Sequence, residues 1–334
     1  MSYIKSAFCV YILTGLIGFV SPVRAQGGDP LFYRERTIHL NNPGNKTIIE
    51  ISLPDTLNRM STNKKTLLIF YALPNGNSID WTKGQRLKPE DDWHYDIQHI
   101  AAQTLYLRSI MTDWNVIVAY MANELKSWPA WKKAQPNGPM EIKRIVDSIT
   151  GMFAPWHPEV MLNSHSGGGS FIFGYLDAVD EIPDNISRIG FIDSDYGYED
   201  SLHTGKLVKW LKSSKRHHLN VLAYNDSVVI YNGKPLVSPT GGTWYRTKWM
   251  QRKLSESFSF KNISDTSLIY YSALSNRINI YLKTNDQGKI YHTEQVARNG
   301  FIHTVVSGTP YQKKAVYIYW GERVYDKYIR AVLH

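Results

Sequence analysis

The segment SHSGG, residues 164–168, places two hydroxyls and an imidazole among small residues directly after the apolar run at 159–163. The apolar run predicts a strand, and residues 170–182 predict a helix. A sharp turn between a strand and a helix exposes the side chain at its tip, and the residues two before and two after must be small because the backbone is crowded there. Ser166 occupies that tip, so we predict it to be a nucleophile. A phosphate loop is the alternative, but the sequence has neither a P-loop lysine nor G-x-G-x-x-G at this point.

The elements that would position such a turn alternate along the chain. A pair of strands separated by the turn signal NNPGNK is predicted to be antiparallel. The later strands alternate with helices, which favours right-handed crossovers and an α/β fold with a mostly parallel central sheet covered by helices on both faces. The predicted strands are 36–40, 47–54, 66–74, 114–122, 159–163, 188–193, 218–224 and 277–284, and the predicted helices are 96–111, 139–153, 170–182 and 203–214.

With this element order and with SHSGG at a strand end, the sequence resembles the α/β-hydrolase superfamily. The resemblance covers essentially the whole of residues 26–334, which we take as a single domain. Ser164 is a departure, since the family usually has glycine there, but serine is nearly as small. The resemblance implies the α/β-hydrolase fold and a serine nucleophile followed along the chain by an acid and then a histidine.

A serine hydroxyl becomes a nucleophile when an imidazole takes its proton and a carboxylate fixes the imidazole tautomer. For the histidine we prefer His303, in RNGFIHTVVSGTP beyond the last predicted sheet strand, over His292 in KIYHTEQV. For the acid we prefer Asp193, which ends the strand RIGFID, and keep Asp226 as a near-equal alternative because it follows the next strand. Asp195 has the ordinary alternative role of capping a turn.

Acyl transfer also needs N–H donors aimed at the developing oxyanion. Gly167, directly after the nucleophile, is the first predicted donor. The second is expected from LPNGNS at 73–78, where Asn75 and Gly76 follow a predicted central strand. An ordinary Asn-Gly turn is the alternative interpretation.

Aromatic and polar residues follow two other predicted elements and are candidates for substrate binding. These candidates are Trp93, His94, His99, Trp128 and Trp131. Aromatic faces beside polar groups suit sugar rings, although each tryptophan is equally well explained by packing in a helix seam. His94 and His99 do not have the spacing of a two-histidine metal motif, so we expect no metal and no cofactor.

The N-terminus predicts export. Residues 1–25 combine Lys5, an apolar stretch and a small residue before the expected cleavage point, which is typical of a secretory signal peptide. The apolar stretch is short for a membrane anchor, so we expect no stable membrane insertion after cleavage. The single cysteine, Cys9, lies within this segment. We therefore expect a secreted or periplasmic protein whose mature chain has no disulfide.

The chain has 334 residues and a formal net charge of +9. The sequence has no basic run interleaved with aromatics, so nucleic acid is excluded as an expected partner. Similarity to secreted bacterial carbohydrate esterases, the aromatic content and the positive charge together favour a serine carboxylic ester hydrolase acting on an esterified carbohydrate, with a pectin-like methyl ester as the most concrete guess. The alternatives are a lipase or peptidase with the same triad, and a carbohydrate-binding protein that has lost activity.

Overall fold

The computed structural model describes residues 17–21, 35–42, 44–54 and 60–330. The predicted signal segment, residues 1–25, lies outside the described residues apart from Ile17–Ser21, whose backbone forms a strand. The strands of the described residues are β1 Ile17–Ser21, β2 Glu35–Asn42, β3 Thr47–Pro54, β4 Lys65–Ala72, β5 Trp114–Asn123, β6 Glu159–His165, β7 Ile186–Ile192, β8 His218–Tyr224, β9 Ile230–Tyr231, β10 Lys234–Pro235, β11 Lys261–Asn262, β12 Leu268–Ala273 and β13 Ile278–Lys283.

Across the described part of the chain, all of these strands except β9 and β10 join one sheet, in the order β1-β2-β3-β5-β4-β6-β7-β8-β13-β12-β11. The strands from β5 to β13 in that order run parallel to their neighbours. Strands β1 to β3 at one edge and β11 and β12 at the other are antiparallel. Strands β9 and β10 form a separate hairpin. The sheet is therefore mixed and mostly parallel, as predicted.

Helices connect the parallel strands. Their bounds are α1 Ile79–Lys83, α2 Ile100–Ile110, α3 Trp128–Ala134, α4 Gly138–Met152, α5 Gly169–Asp177, α6 Asp200–Ser213, α7 Thr243–Ser255, α8 Glu294–Ala297, α9 Gly300–Val306 and α10 Tyr311–Lys314. Short 3-10 turns span Trp93–Asp96, Ala154–Trp156, Ser166–Gly168, Asp195–Gly197, Asp226–Val228 and Asp326–Tyr328. Within the described residues, none of these helices combines the length and the apolar character needed to cross a membrane.

Two hydrophobic cores lie on opposite faces of the sheet because side chains alternate along each strand. In β4, Leu68 and Phe70 enter the core that contains the buried side chains of α4 to α7, whereas Leu67, Ile69 and Tyr71 enter the core that contains those of α2 and α9. A strand buried on both faces has no polar alternation, which explains the continuous apolar runs of the sequence. The α/β-hydrolase fold predicted from the sequence is confirmed by this topology.

The parallel arrangement brings the ends of six strands to one edge, which we call the carboxyl edge. Because parallel strands end on the same side, the residues that follow β4, β5, β6, β7, β8 and β13 meet there. The sequence pattern missed helix α7, which follows β8 along the chain, and the antiparallel strands β11 and β12 beyond β13. Helix α7 is polar on most of its surface, so its apolar periodicity is weak.

Candidate active site

Ser166 stands at a strained turn between β6 and α5. Its backbone φ is 55°, in the left-handed region that a residue with a side chain rarely adopts. The glycines after it are required by close contacts. A Cβ at Gly167 would lie 2.1 Å from Asn75 Oδ1, and one at Gly169 would lie 1.7 Å from the carbonyl oxygen of Ser194. The sequence therefore forms the predicted turn, and it holds a partly exposed Ser166 above the carboxyl edge.

Asp193 directly follows β7 and is fully buried, with a φ of 45°. One carboxylate oxygen, Oδ2, contacts Nδ1 of His292, and the other, Oδ1, accepts a hydrogen bond from the hydroxyl of Thr243. An ionised carboxylate only accepts, so Nδ1 of His292 carries the proton. Nε2 of His292 is thereby left as the unprotonated nitrogen, which is the tautomer that a general base requires.

His303 lies elsewhere. It belongs to helix α9, is 3% exposed, and its Nδ1 is 2.6 Å from the hydroxyl of Tyr317. Its ring stacks on Tyr319 at 4.7 Å between centroids, and burial lowers its pKa to about 3. The structure thus places His303 in a core of aromatic side chains, and our preference for His303 over His292 as the partner of Asp193 is corrected. Gly300 begins α9, so His303 lies within a helix.

Asp226, the alternative acid, binds the N-terminus of α7. Its Oδ2 accepts the backbone N–H of Thr243 at 2.8 Å, and its Oδ1 accepts that of Trp244 at 3.4 Å. A carboxylate at a helix N-terminus satisfies free N–H groups and interacts well with the helix dipole. Burial and the nearby charge of Asp193 nevertheless raise the pKa of Asp226 to about 6. Asp226 therefore holds Thr243, which in turn contacts Asp193.

Asp195 is a third carboxyl group in this cluster. It is fully buried, and its Oδ2 accepts a hydrogen bond of 2.7 Å from the hydroxyl of Thr247 on α7. Burial is the main cause, and Asp193 a lesser one, of a pKa raised to about 8. Thr243 and Thr247 were missed by the sequence reasoning because nothing in the segment after β8 distinguishes α7 from a loop.

His165, the residue before the nucleophile, supports His292. The two rings stack at 4.7 Å between centroids with an interplanar angle of 29°, and His165 Nε2 is 3.1 Å from the backbone carbonyl oxygen of His292. A carbonyl only accepts, so His165 donates from Nε2. Burial and the neighbouring His292 lower the pKa of His165 well below its usual value. A neutral imidazole thus ties the segment that carries His292 to the turn that carries Ser166.

The loop after β4 lies beside Ser166. The side-chain amide of Asn75 packs directly against Gly167, where a Cβ would lie 2.1 Å from its Oδ1 and 2.6 Å from its Nδ2. The N–H of Gly76 donates instead to the carbonyl oxygen of Lys126 at 2.7 Å. Gly76 is therefore corrected from oxyanion donor to turn residue, which agrees with its φ of 78°. The oxyanion role of Gly167 and Asn75 stays a prediction.

The aromatic residues predicted to bind substrate fall into a buried group and an exposed group. Trp128 and Trp131 are 1% and 0% exposed, and their indole N–H groups donate to backbone carbonyls, so both belong to the core. His99 is also buried, 2.7 Å from Asp96, and burial lowers its pKa. Trp93 is 62% exposed. The structure therefore corrects the predicted substrate-binding role of Trp128, Trp131 and His99, which are buried, while Trp93 is exposed and His94 is half-buried.

Two other features of the described residues bear on the chemistry. Residues 17–21, 35–42, 44–54 and 60–330 contain no group of three or more His, Cys, Asp or Glu side chains arranged to hold a metal ion. A groove of about 530 Å³ lies at the opposite edge of the sheet from Ser166, where Glu159 begins β6, and its lining includes Asp184 and Arg216. The whole length of β6, Glu159–His165, separates that groove from Ser166, and the groove does not belong to the site.

No protein-family model and no curated protein matches the sequence. Similar solved structures include a thermostable esterase, at a TM-score of 0.47 and 12% identity over 82% of this chain, which spans 62% of that one. A cold-adapted esterase from an Arctic intertidal metagenomic library has a TM-score of 0.41 and 8% identity, covering 83% of this chain and 96% of that one. A putative carboxylesterase from Lactobacillus plantarum WCFS1 has a TM-score of 0.35 and 11% identity, covering 67% and 83%.

Proposed function

We propose that this protein is a serine hydrolase of carboxylic esters that works through an acyl-enzyme. The observation that carries the proposal is the contact between the buried carboxylate of Asp193 and Nδ1 of His292, at the same edge of the sheet as Ser166 on its strained turn. A buried carboxylate bound to one imidazole nitrogen fixes the tautomer whose other nitrogen accepts a serine proton. Ser166, His292 and Asp193 are the proposed triad.

The reaction follows from these positions. Nε2 of His292 takes the proton of Ser166 as Oγ attacks the ester carbonyl carbon, and the carbonyl oxygen becomes an oxyanion. The N–H of Gly167 and the amide of Asn75 are the donors available to it. Collapse expels the alcohol, which receives the proton from His292, and leaves the acyl group on Ser166. Water then attacks with the same histidine as base, which releases the acid and restores the serine.

We propose an esterified carbohydrate as the substrate, and an extracytoplasmic location in keeping with the predicted signal peptide. Support for the sugar comes from the exposed Trp93 and from His94, whose ring stacks on it at 4.0 Å. Rigid aromatic faces beside polar groups give contact area to a sugar ring at little entropic cost. This support concerns the sugar part of the substrate. The assignment of the triad does not depend on it.

A longer acyl chain is the second candidate because apolar side chains are exposed beyond β8. Val228, Ile230 and Tyr231, in the turn and hairpin that follow Asp226, are 45%, 63% and 56% exposed. A contiguous exposed apolar surface is commonly an interaction surface for an apolar ligand. This candidate keeps the same triad and changes the acyl specificity toward that of a lipase.

The experiment uses purified protein, a fluorophosphonate probe and a panel of esters. We expect stoichiometric labelling of the parent chain and none of Ser166→Ala, together with a loss of about a thousandfold or more in ester hydrolysis. The panel consists of p-nitrophenyl acetate, p-nitrophenyl decanoate and acetylated and methyl-esterified oligosaccharides. A labelled Ser166 with activity confined to decanoate supports the second candidate. Absence of labelling and of hydrolysis on every ester refutes the enzyme and favours a binding protein.

A further inference from the structure

Three aromatic rings from the segment that follows β4 form a stack, which we call the ring stack: Trp81, His94 and Trp93. The ring centroids of Trp81 and His94 are 4.2 Å apart with an interplanar angle of 9°, and those of His94 and Trp93 are 4.0 Å apart with an angle of 27°. Two indoles cannot both lie parallel and this close on one face of an imidazole. His94 is therefore sandwiched, and Trp93 forms the end of the stack.

The stack is rigid and its end faces solvent. Ser78 caps helix α1, which carries Trp81, and Asp92 accepts a backbone hydrogen bond of 2.9 Å from His94. The Asp92 carboxylate also contacts Nδ1 of the same ring. Stacking on His94 covers only one face of Trp93, whose side chain remains 62% exposed. An indole fixed in place with a free face loses little conformational entropy when a ligand packs on it.

Direct contacts connect the ring stack to the proposed oxyanion loop. Asn75 packs on Gly167, and the next residue, Gly76, donates its N–H to Lys126. The ammonium group of Lys126 lies 5.8 Å from the centroid of Trp81. The ring of His94 stacks on Trp81, and the ring of Trp93 stacks on His94. Trp93 is thus connected to Gly167, the residue after Ser166, through several intervening contacts and touches neither, which fits a sugar residue other than the one that carries the reacting ester.

The residues that precede Trp93 along the chain are mainly acidic. Residues 88–93 contain one cation, Lys88, against the carboxyl groups of Glu90, Asp91 and Asp92. The ammonium group of Lys126 lies at the other end of the ring stack, against Trp81. Hydrogen bonds from His94 lower the pKa of Asp92, so this carboxylate is ionised at neutral pH. Carboxylates accept hydrogen bonds from hydroxyl groups but repel other carboxylates. The local field therefore disfavours a polyuronate, although the net charge of the whole chain is positive.

We propose that Trp93 is a binding face for an uncharged, hydroxyl-rich sugar residue of the substrate, distant from the scissile ester. The proposal rests on the proposed function and narrows its substrate class. The apolar face of the sugar packs on the indole, and its hydroxyls donate to the carboxylates that precede Trp93. The substrate class is then a polymer of neutral sugars that carry acyl esters, in place of the methyl-esterified polyuronate expected from the sequence.

The test measures equilibrium binding by calorimetry to Ser166→Ala, so that it does not depend on turnover. The ligands are an acetylated xylo-oligosaccharide and a partly methyl-esterified oligogalacturonide of equal length. We expect the neutral oligosaccharide to bind more tightly, and Trp93→Ala in this background to weaken its binding roughly five- to tenfold, the size of one aromatic contact. Trp93→Tyr keeps a ring and should restore most of the affinity.

Ile263→Ala is the matched control, since Ile263 is 60% exposed next to β11 at the far edge of the sheet. Unchanged affinity in Trp93→Ala refutes the binding face even when Ser166 is shown to be the nucleophile. Tighter binding of the galacturonide refutes the charge argument. The double variant Glu90→Gln, Asp91→Asn should improve galacturonide binding severalfold at low salt and lose that gain at 0.5 M salt, because screening acts over about 10 Å or less above 0.1 M. If the parent chain hydrolyses no ester, the proposed function fails, and the binding result stands as a separate observation.

Discussion

Replacing His292 and His303 separately tests which histidine is the base. His292→Gln keeps an amide near Asp193 but cannot accept and return a proton. Loss of the base also leaves Ser166 without activation, and residues of one triad act as a unit. We expect kcat/KM on p-nitrophenyl acetate to fall by about 10⁴ to 10⁶. At about 1.36 kcal/mol per decade, this corresponds to roughly 5 to 8 kcal/mol of transition-state stabilisation.

His303→Gln should affect stability more than activity. The substitution removes the ring that stacks on Tyr319 and alters the hydrogen bond to Tyr317. One buried hydrogen bond and one aromatic contact together contribute about 1 to 3 kcal/mol. The thermal midpoint should fall by several degrees for a chain of this size. Activity of the folded fraction should stay within about threefold of the parent, because His303 has no contact with Asp193 in the structure.

Both variants are assayed by initial rates at pH 8, with circular dichroism to establish the folded fraction. The pH profile of the parent should persist in His303→Gln. A folded His303→Gln that has lost several decades of activity, beside a His292→Gln that is active, would refute the assignment. Loss in both, at full folded fraction, would mean that His303 acts on the site through contacts other than those described.

Three further predictions concern the carboxyl cluster. Asp193→Asn should cost about four decades in kcat by leaving His292 in the wrong tautomer, whereas Asp226→Asn, which still accepts the N–H of Thr243, should cost less than about tenfold; a larger loss in Asp226→Asn would reverse the choice of acid. Thr243→Val should lower kcat about tenfold and Thr243→Ser should not, since only the first removes the donor to Asp193, and equal rates would show that this hydrogen bond is dispensable. Because the folded pKa of Asp195, about 8, exceeds the unfolded value near 3.9, the folded chain binds this proton more tightly and stability is lost as the pH rises toward 8. Asp195→Asn should therefore raise the thermal midpoint relative to the parent by more at pH 9 than at pH 5, and a difference independent of pH would contradict the shift.

The turn at Ser166 was predictable because it is local. Ser166 has a small residue two positions before it and another two positions after it, and it stands between an apolar run and a helix. Few backbone conformations are possible for such a segment. The contacts of the glycines show why larger residues do not fit. The alternation of strands and helices was predictable for the same reason, because the hydrophobic periodicity of each element depends only on a short stretch of chain. Boundaries shifted by a few residues at most for the strands of the parallel sheet.

The partners of Ser166 depend on contacts between distant residues. Asp193 lies 27 positions after it and His292 lies 126 positions after it, and several histidines and aspartates of the same type compete for each role. Helix α7, which the pattern did not reveal, decides the acid, because its N-terminus engages Asp226 and its Thr243 contacts Asp193. Packing against Tyr317 and Tyr319 holds His303 in the aromatic core, which excludes it as the partner of Asp193.

The sequence by itself determined the parallel sheet, the turn at Ser166 and the edge of the sheet at which the candidate site lies, because periodicity and steric crowding act over a few neighbouring residues. Tertiary structure alone decided which tryptophans are exposed. Trp128 and Trp93 both follow polar loops in the sequence, yet one is buried against Phe171 and the other ends the ring stack. Burial is set by what the rest of the chain packs over a side chain, and that information is spread over the whole fold.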